Sequence, residues 1–248
     1  LTLNKKIYFA SDQHFGAPNA AESAVREKKF VQWLDHIKDG ADSLFLLGDL
    51  FDFWFEYKKV VPKGFVRVLG KLAELKDAGV QIHFFVGNHD LWMNGYFEQE
   101  LGIPVYCKPT AFTLSGKQFL IGHGDGLGPG DKGYKRMKKI FTNPLSNWLY
   151  RWLHPDIGIR LAQYLSLKNK LISGEEDKVF QGAEKEWLVQ YCKKRLQQKH
   201  YDYFVFGHRH LPLEIKLSEK TTYLNTGDWI QYFSYAVFDG EQLTLEKL

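Results

Sequence analysis

Six short apolar runs, each closing on a cluster of Asp, His, Asn and Gly, constrain this chain more than any other feature. The first cluster is Asp12-Gln13-His14, after Ile7–Ala10. Gly48-Asp49-Leu50-Phe51-Asp52 follows Leu44–Leu47, and Gly87-Asn88-His89-Asp90 follows Ile82–Val86. Gly122-His123-Gly124-Asp125 follows Phe119–Ile121. Gly207-His208-Arg209-His210 follows Tyr203–Phe206, and Asn225-Thr226-Gly227-Asp228 follows Tyr223–Leu224. Runs this short and this apolar read as buried strands. Turn chemistry alone does not account for six such endings. In open α/β sheets the carboxyl ends of strands are where ligands sit. Five of the nine histidines fall inside the clusters, and His36, His83, His154 and His200 read as ordinary core or surface residues.

Between the first three strands, Phe30, Val31, Leu34 and Ile37 recur at helical spacing, and so do Phe65, Val68, Leu69, Leu72 and Leu75. The β-α-β-α-β order predicts parallel pairing through right-handed crossovers. Beyond Asp125 the pattern turns helical for roughly 80 residues before strands return. The last of these, Ser234–Phe238, ends on Asp239-Gly240 and is expected to turn into Leu243–Leu245 as a hairpin. One domain over 1–248 is expected, with a helical insertion at about 126–200 serving as a lid.

Carboxylate, imidazole and amide oxygen are the donors of a divalent transition-metal site, fitting Mn²⁺, Fe or Zn²⁺ better than Ca²⁺ or Cu⁺. Seven such donors with one shared carboxylate are enough for two metals. A pair of that kind clamps the attacking and leaving oxygens and makes hydroxide at neutral pH. Glycines ahead of Asp49, Asn88, His123 and His208 are expected to let the backbone turn beside the ions.

The motifs D-x-H, G-D-x-x-D, G-N-H-D, G-H-x-D and G-H-x-H, in this order, resemble the signature of the calcineurin-like metallophosphoesterases. The resemblance implies an α/β fold of two packed β-sheets flanked by helices, with a dimetal site at the sheet edge. It gives Asp12, His14 and His210 to one ion and Asn88, His123 and His208 to the other, with Asp49 bridging. It makes His89 a catalytic residue that contacts phosphate and protonates the leaving oxygen, a role suited to an imidazole. Asp90 is expected to orient His89. Asp52, Asp125 and Asp228 keep two readings, partners of ligating histidines or loop caps.

Within that group the chain is more similar to the bacterial UDP-2,3-diacylglucosamine diphosphatases of lipid A synthesis. Length, Gly48-Asp49-Leu50-Phe51-Asp52 with Trp54 after it, and the series His123-Gly124-Asp125 … Asp131-Lys132-Gly133-Tyr134 carry this likeness. It implies hydrolysis of the substrate's pyrophosphate bond to 2,3-diacylglucosamine 1-phosphate and UMP. Two divalent ions, Mn²⁺ before Fe or Zn²⁺, are the implied cofactors. Asn88, Asp131 and Tyr134 are the expected substrate contacts. Two positions depart from the best-known branch: His89 stands where that branch has Arg, and Gln13 where it often has Leu.

Charge distribution agrees with an anionic substrate. Residues 126–200 hold 15 Lys/Arg against 7 Asp/Glu, whereas the rest of the chain holds 18 against 22. In the same segment Ile140, Phe141, Leu145, Trp148, Leu149, Trp152, Leu153, Ile157, Ile159, Leu161, Tyr164 and Leu165 recur at near-helical spacing among Lys132, Lys135, Arg136, Lys138, Lys139, Arg151 and Arg160. An apolar face with a basic rim suits acyl chains, phosphate and an anionic bilayer; the plain alternative is a packing face. The expected partner is a lipid-linked nucleotide met at the cytoplasmic membrane surface, with no nucleic acid. No leader is expected ahead of the first strand. Cys107 and Cys192 form no disulfide pattern, so reduced thiols and a cytoplasmic protein, peripheral on the inner membrane, are expected. A nucleotide phosphodiesterase using the same metal site, and a metal-free scaffold, are the competing readings. Complete donor sets count against the scaffold.

Overall fold

The computed structural model describes residues 5–129, 132–162, 164, 180 and 182–248. Strands β1 (Lys6–Ala10), β2 (Ala41–Leu46), β3 (Gln81–Phe85), β4 (Val105–Tyr106), β10 (Ser234–Phe238) and β11 (Leu243–Lys247) form one sheet in the order β11-β10-β1-β2-β3-β4. Strands β5 (Thr110–Leu114), β6 (Lys117–Ile121), β7 (Tyr203–Phe206), β8 (Pro212–Ser218) and β9 (Thr221–Thr226) form the second, in the order β5-β6-β7-β9-β8. As the crossovers predict, β1, β2 and β3 are parallel. In the second sheet β6, β7 and β9 are parallel as well.

Side-chain alternation assembles the layers. Successive residues of a strand face opposite sides. Ile7, Phe9, Phe45, Leu47 and Phe85 therefore meet Phe119, Ile121, Val205 and Leu224 between the two sheets. Tyr8, Ala10, Leu44, Leu46, Ile82 and Phe84 face the other way, onto helices α1 (Ala20–Ile37) and α2 (Val66–Asp77). Because both faces are covered, these strands read as unbroken apolar runs. Strands at or near sheet edges read differently. In β5 and β8 half-buried and exposed residues alternate, and β4 has two residues. These three carry no apolar run and were not expected from sequence.

The described part of the 126–200 segment is mostly helical. It holds α4 (Lys132–Phe141), α5 (Pro144–Arg151), α6 (residues 155–162) and α7 (Trp187–Leu196), after the short α3 (Tyr96–Leu101). Asn143 caps α5 by accepting from Leu145 N at 2.8 Å, with Pro144 in the first turn. The segment is not uniform. Helix α7 buries Leu188, Val189 and Cys192 under the second sheet, with Phe204, Phe206 and Tyr223. Helices α4 and α5 bury no residue. They are held to the core at two places. Trp92 Nε1 donates to Phe141 O at 2.8 Å, and its ring stacks on Tyr150. At the other place, Tyr134 Oη and Lys138 Nζ both donate to Asp125.

Candidate metal centre

Parallel strands deliver their carboxyl ends to one edge of both sheets. Asp12 and His14 follow β1, Asp49 follows β2, Asn88 and His89 follow β3, His123 follows β6, and His208 and His210 follow β7. The backbone there is unusual. Asp12 (φ 57), His14 (φ 47), Asp49 (φ 54), His208 (φ 70) and His210 (φ 52) all adopt the left-handed region. Non-glycine residues rarely do so, and each costs on the order of 1–2 kcal/mol. Five such residues in one place mark a functional site. Gly48 (φ 91) makes the approach possible: a Cβ there would lie 2.7 Å from His123 Nδ1 and 2.8 Å from Gly87 Cα. At Gly87, a Cβ would collide with the Asp49 carboxylate.

Among the described residues, three groups each bring their donor atoms within 4.8 Å of one another: Asp12, His14 and His210; Asp49, His123 and His208; and His14, Asp49 and His89. The fit to cations can be tested on acceptor atoms that face each other. His123 Nδ1 donates to Leu47 O at 2.7 Å, which turns Nε2 toward Asn88 Oδ1 at 3.1 Å and Asp49 Oδ2 at 3.5 Å. His210 Nδ1 is tied to Asp228 Oδ2 at 3.2 Å, and His14 Nδ1 lies 3.4 Å from Asp52 Oδ1. Their Nε2 atoms then face each other at 3.3 Å. Asp12 Oδ1 is buried and accepts no hydrogen bond, with His210 Nε2 at 3.4 Å and His14 Nε2 at 3.8 Å. Lone pairs converging this closely repel unless positive charge lies between them, so the residues fit a pair of divalent ions.

The electrostatics of these buried groups are dominated by the carboxylates among them. Burial opposes a charged His123, but the Asp49 carboxylate outweighs it and lifts the pKa to about 10. His208, buried and beside His123, is pushed down to about 4. Burial also disfavours charge on Asp49, yet His123 and His89 hold its carboxyl well below the usual range. Asp90, buried and close to Asp49, is raised to about 7.

The three ambiguous acids take different roles, and Asp228 alone of them shows both. Asp52 lies against Nδ1 of His14 and, at 3.6 Å, of His89. Asp228 holds His210 with one oxygen and caps Ile230, Gln231 and Tyr232 N with the other. Asp125 ties α4 to the His123 loop. The expected Asp90–His89 contact is corrected. Asp90 accepts from Gly87 N at 2.6 Å and Leu50 N at 3.0 Å, bracing two metal-edge loops. The Nδ1 of His89 sits 2.9 Å from the Asp52 carbonyl instead. Tyr134 is half-buried beside Asp125, and Asp131 and Leu165 lie outside the described residues. Backbone carbonyls such as that of Leu47 carry no sequence signal, so the atom that sets the His123 tautomer could not have been read in advance.

A strand-end dimetal edge between two mixed sheets is a phosphoesterase architecture. The family model described as calcineurin-like phosphoesterase matches residues 5–212, and the chain belongs to that family. Along nearly its whole length the chain is similar to the UDP-2,3-diacylglucosamine hydrolase of Porphyromonas gingivalis, with 41% identity covering 99% of this chain and 98% of that protein. A Shewanella protein of the same name is 27% identical, covering 98% and 97%. Among solved structures, Vps29 of Chaetomium thermophilum aligns with a TM-score of 0.46 at 12% identity, covering 99% of this chain and 87% of that one.

Proposed function

We propose that this chain hydrolyses the pyrophosphate bond of UDP-2,3-diacylglucosamine, giving 2,3-diacylglucosamine 1-phosphate and UMP. The observation that carries the reading is the metal edge, complete in its donors, in a chain 41% identical to a hydrolase of that name. Asp12, His14 and His210 would hold one ion, Asn88, His123 and His208 the other, and Asp49 both. Their carboxylate, imidazole and amide donors suit Mn²⁺ first, then Fe or Zn²⁺. When bound, the ions supply Lewis-acid charge to the phosphoryl group and lower the pKa of water.

The protein's own groups do the rest. Asp49 and Asp12 set the negative field of the edge. Asp52 and Asp228 fix the tautomers of His14 and His210, so that each presents Nε2 inward. With Nδ1 against the Asp52 carbonyl, His89 presents its other nitrogen to the substrate. There it contacts phosphate and gives a proton to the leaving phosphate oxygen as the P–O bond breaks. Asn88, Asp131 and Tyr134 are the proposed substrate contacts.

The remainder of the substrate is assigned to the lid. Leu145, Trp148, Leu149, Trp152 and Ile157 are all more than half exposed, whereas core residues of the same types are fully buried. Clustered exposed apolar groups mark a binding surface. They would take acyl chains, and Lys139, Arg151 and Arg160 would face phosphate and the anionic cytoplasmic leaflet. No helix among the described residues is long and apolar enough to cross a membrane. The test is release of UMP from UDP-2,3-diacylglucosamine with added Mn²⁺. A metal-loaded protein that cleaves a simple phosphodiester but yields no UMP would sink the substrate assignment.

A further inference from the structure

Helix α1 carries an arginine on its apolar side. Arg26 falls in line with Phe30, Trp33, Leu34 and Ile37, all buried, and is itself only 7% exposed. Burying a guanidinium is costly unless its donors are matched. Among the described residues, the side-chain hydrogen bonds of Nε and Nη2 go to three main-chain carbonyls. Nε donates to Gln13 O at 2.7 Å, and Nη2 donates to His14 O at 2.7 Å and to Ala17 O.

Those carbonyls belong to one loop, the one bearing Asp12 and His14. The amides of the same loop are engaged from the other side. Asp12 N donates to Gly48 O at 3.1 Å, His14 N to Asp49 O at 2.9 Å, and Phe15 N to Leu50 O at 2.9 Å. Ser23, one turn before Arg26, accepts from Gly16 N at 2.7 Å. The loop is thus gripped along its carbonyl edge by α1 and along its amide edge by the Asp49 loop. Two of its residues, Asp12 and His14, are left-handed, and such backbone persists only when its surroundings over-determine it. Asp52 and Asp228, the carboxylates that hold Nδ1 of His14 and His210, in turn favour the Arg26 charge against its burial. Nothing comparable from Arg26 reaches the loops of Asn88, His123 or His208 among the contacts described.

We infer that Arg26 is a positioning residue for one of the two metal sites, that of Asp12, His14 and His210. Its guanidinium fork holds the carbonyls of the 12–17 loop. The inference rests on the two-metal reading above. A planar fork with fixed donor directions suits this task, and a lysine does not reproduce it.

The experiment titrates Mn²⁺ into metal-free protein and reads stoichiometry and affinity by calorimetry, with circular dichroism as the check on folding. The wild type should take two ions. Arg26→Met should keep one site at wild-type affinity and weaken the other by about 10–100-fold, the usual loss when a group that orients a ligand is removed. Turnover of the variant should recover as Mn²⁺ is raised, with KM unchanged. In a His14→Ala background, where the same site is already lost, adding Arg26→Met should leave the remaining affinity as it was. Two sites of wild-type affinity in Arg26→Met, equal weakening of both, or further loss in the His14→Ala background would overturn the inference. If Arg26→Met does not fold, Arg26→Lys decides. It keeps the charge but cannot fork over three carbonyls, so one site should still weaken several-fold, and two unchanged sites would overturn the inference. A wild-type chain that takes fewer than two Mn²⁺ fails earlier, at the two-metal reading itself, and removes the inference with it.

Discussion

The metal edge and the α4–α5 helices are both polar-apolar mixtures, but they are built on opposite plans. At the edge His123 and His210 are each fixed through one ring nitrogen and aimed with the other. His123 is fixed by Leu47 O and faces Asn88, and His210 is fixed by Asp228 and faces His14. Backbone strain is concentrated there and supported by both sheets. On α4 and α5 the large side chains Leu145, Trp148, Leu149 and Trp152 touch little and stay exposed, and the helices are held at the Trp92–Tyr150 stack and at Asp125. Chemistry needs atoms held to fractions of an ångström, so its scaffold is rigid. Flexible acyl chains need apolar area more than fixed directions, so their proposed surface is loosely attached.

Mutations should separate the two plans, and the largest effect belongs at the edge. Asp49→Asn should lower occupancy of both ions and cut turnover by several orders of magnitude, because a neutral amide cannot replace a shared carboxylate. Metal content of the purified variant is the check. Two retained ions with near-normal turnover would mean that Asp49 does not bridge.

His89→Ala should leave metal content nearly intact and slow the chemical step by about 10²–10⁴-fold. The defect should shrink on a p-nitrophenyl ester, whose leaving group hardly needs a proton. An equal defect on good and poor leaving groups would leave His89 as a phosphate contact alone.

A charge on the exposed face should act on one substrate class only. Leu149→Asp should reduce kcat/KM for the diacyl substrate by about tenfold or more, at about 0.8 kcal/mol per methylene no longer buried. A small soluble phosphodiester should be turned over as before. Since Leu149 is 57% exposed, Tm should barely move. Equal loss on both substrates, with the fold intact, would make the face a packing surface and favour the nucleotide phosphodiesterase reading.

The smallest effect lies away from both regions. His83 stacks on Phe45 with ring centroids 4.5 Å apart, and burial, then Lys76, push its pKa below the ordinary value. An unfolded histidine titrates near about 6.5. As pH falls through that value, the unfolded chain takes up a proton that the folded chain still refuses. Stability should therefore fall with falling pH from there down to the lower folded pKa, and His83 should add no slope above it. Urea midpoints from pH 7.5 to 5.5 should drop less in His83→Phe than in the wild type. Parallel profiles would remove His83 as the cause.

Much of the edge was legible in advance, because strands buried on both faces announce themselves as apolar runs and their ends fall at one place. Asp12, His14, Asp49, Asn88, His123, His208 and His210 could be named before any coordinate. The strands β4, β5 and β8 could not, since two of them alternate half-buried with exposed residues and the third has two residues. Nor could the partner of Asp90, because sequence adjacency to His89 says nothing of which loop the carboxylate faces. It turns back to Gly87 N and Leu50 N, where two loops need an acceptor. Arg26 did leave a signal: a charged residue in register with Phe30, Trp33 and Leu34 on a buried stripe. Its meaning depended on which carbonyls stood opposite.

The sequence alone determined the layers of the fold and the kind of chemistry at its edge. Apolar alternation and donor type are local properties, written residue by residue. Tertiary structure alone decided which nitrogen of each imidazole points inward, which acids brace loops, and which part of the 126–200 segment belongs to the core. Helix α7 buries Leu188, Val189 and Cys192 while α5, which carries Leu145, Trp148 and Leu149, buries none. The difference lies in what each helix meets: α7 lies under the second sheet, beside Phe204 and Tyr223, whereas α5 meets the core through Tyr150, against Phe55 and Trp92. Hydrophobic stabilisation depends on area removed from water, and only the packed structure says how much of a helix that is.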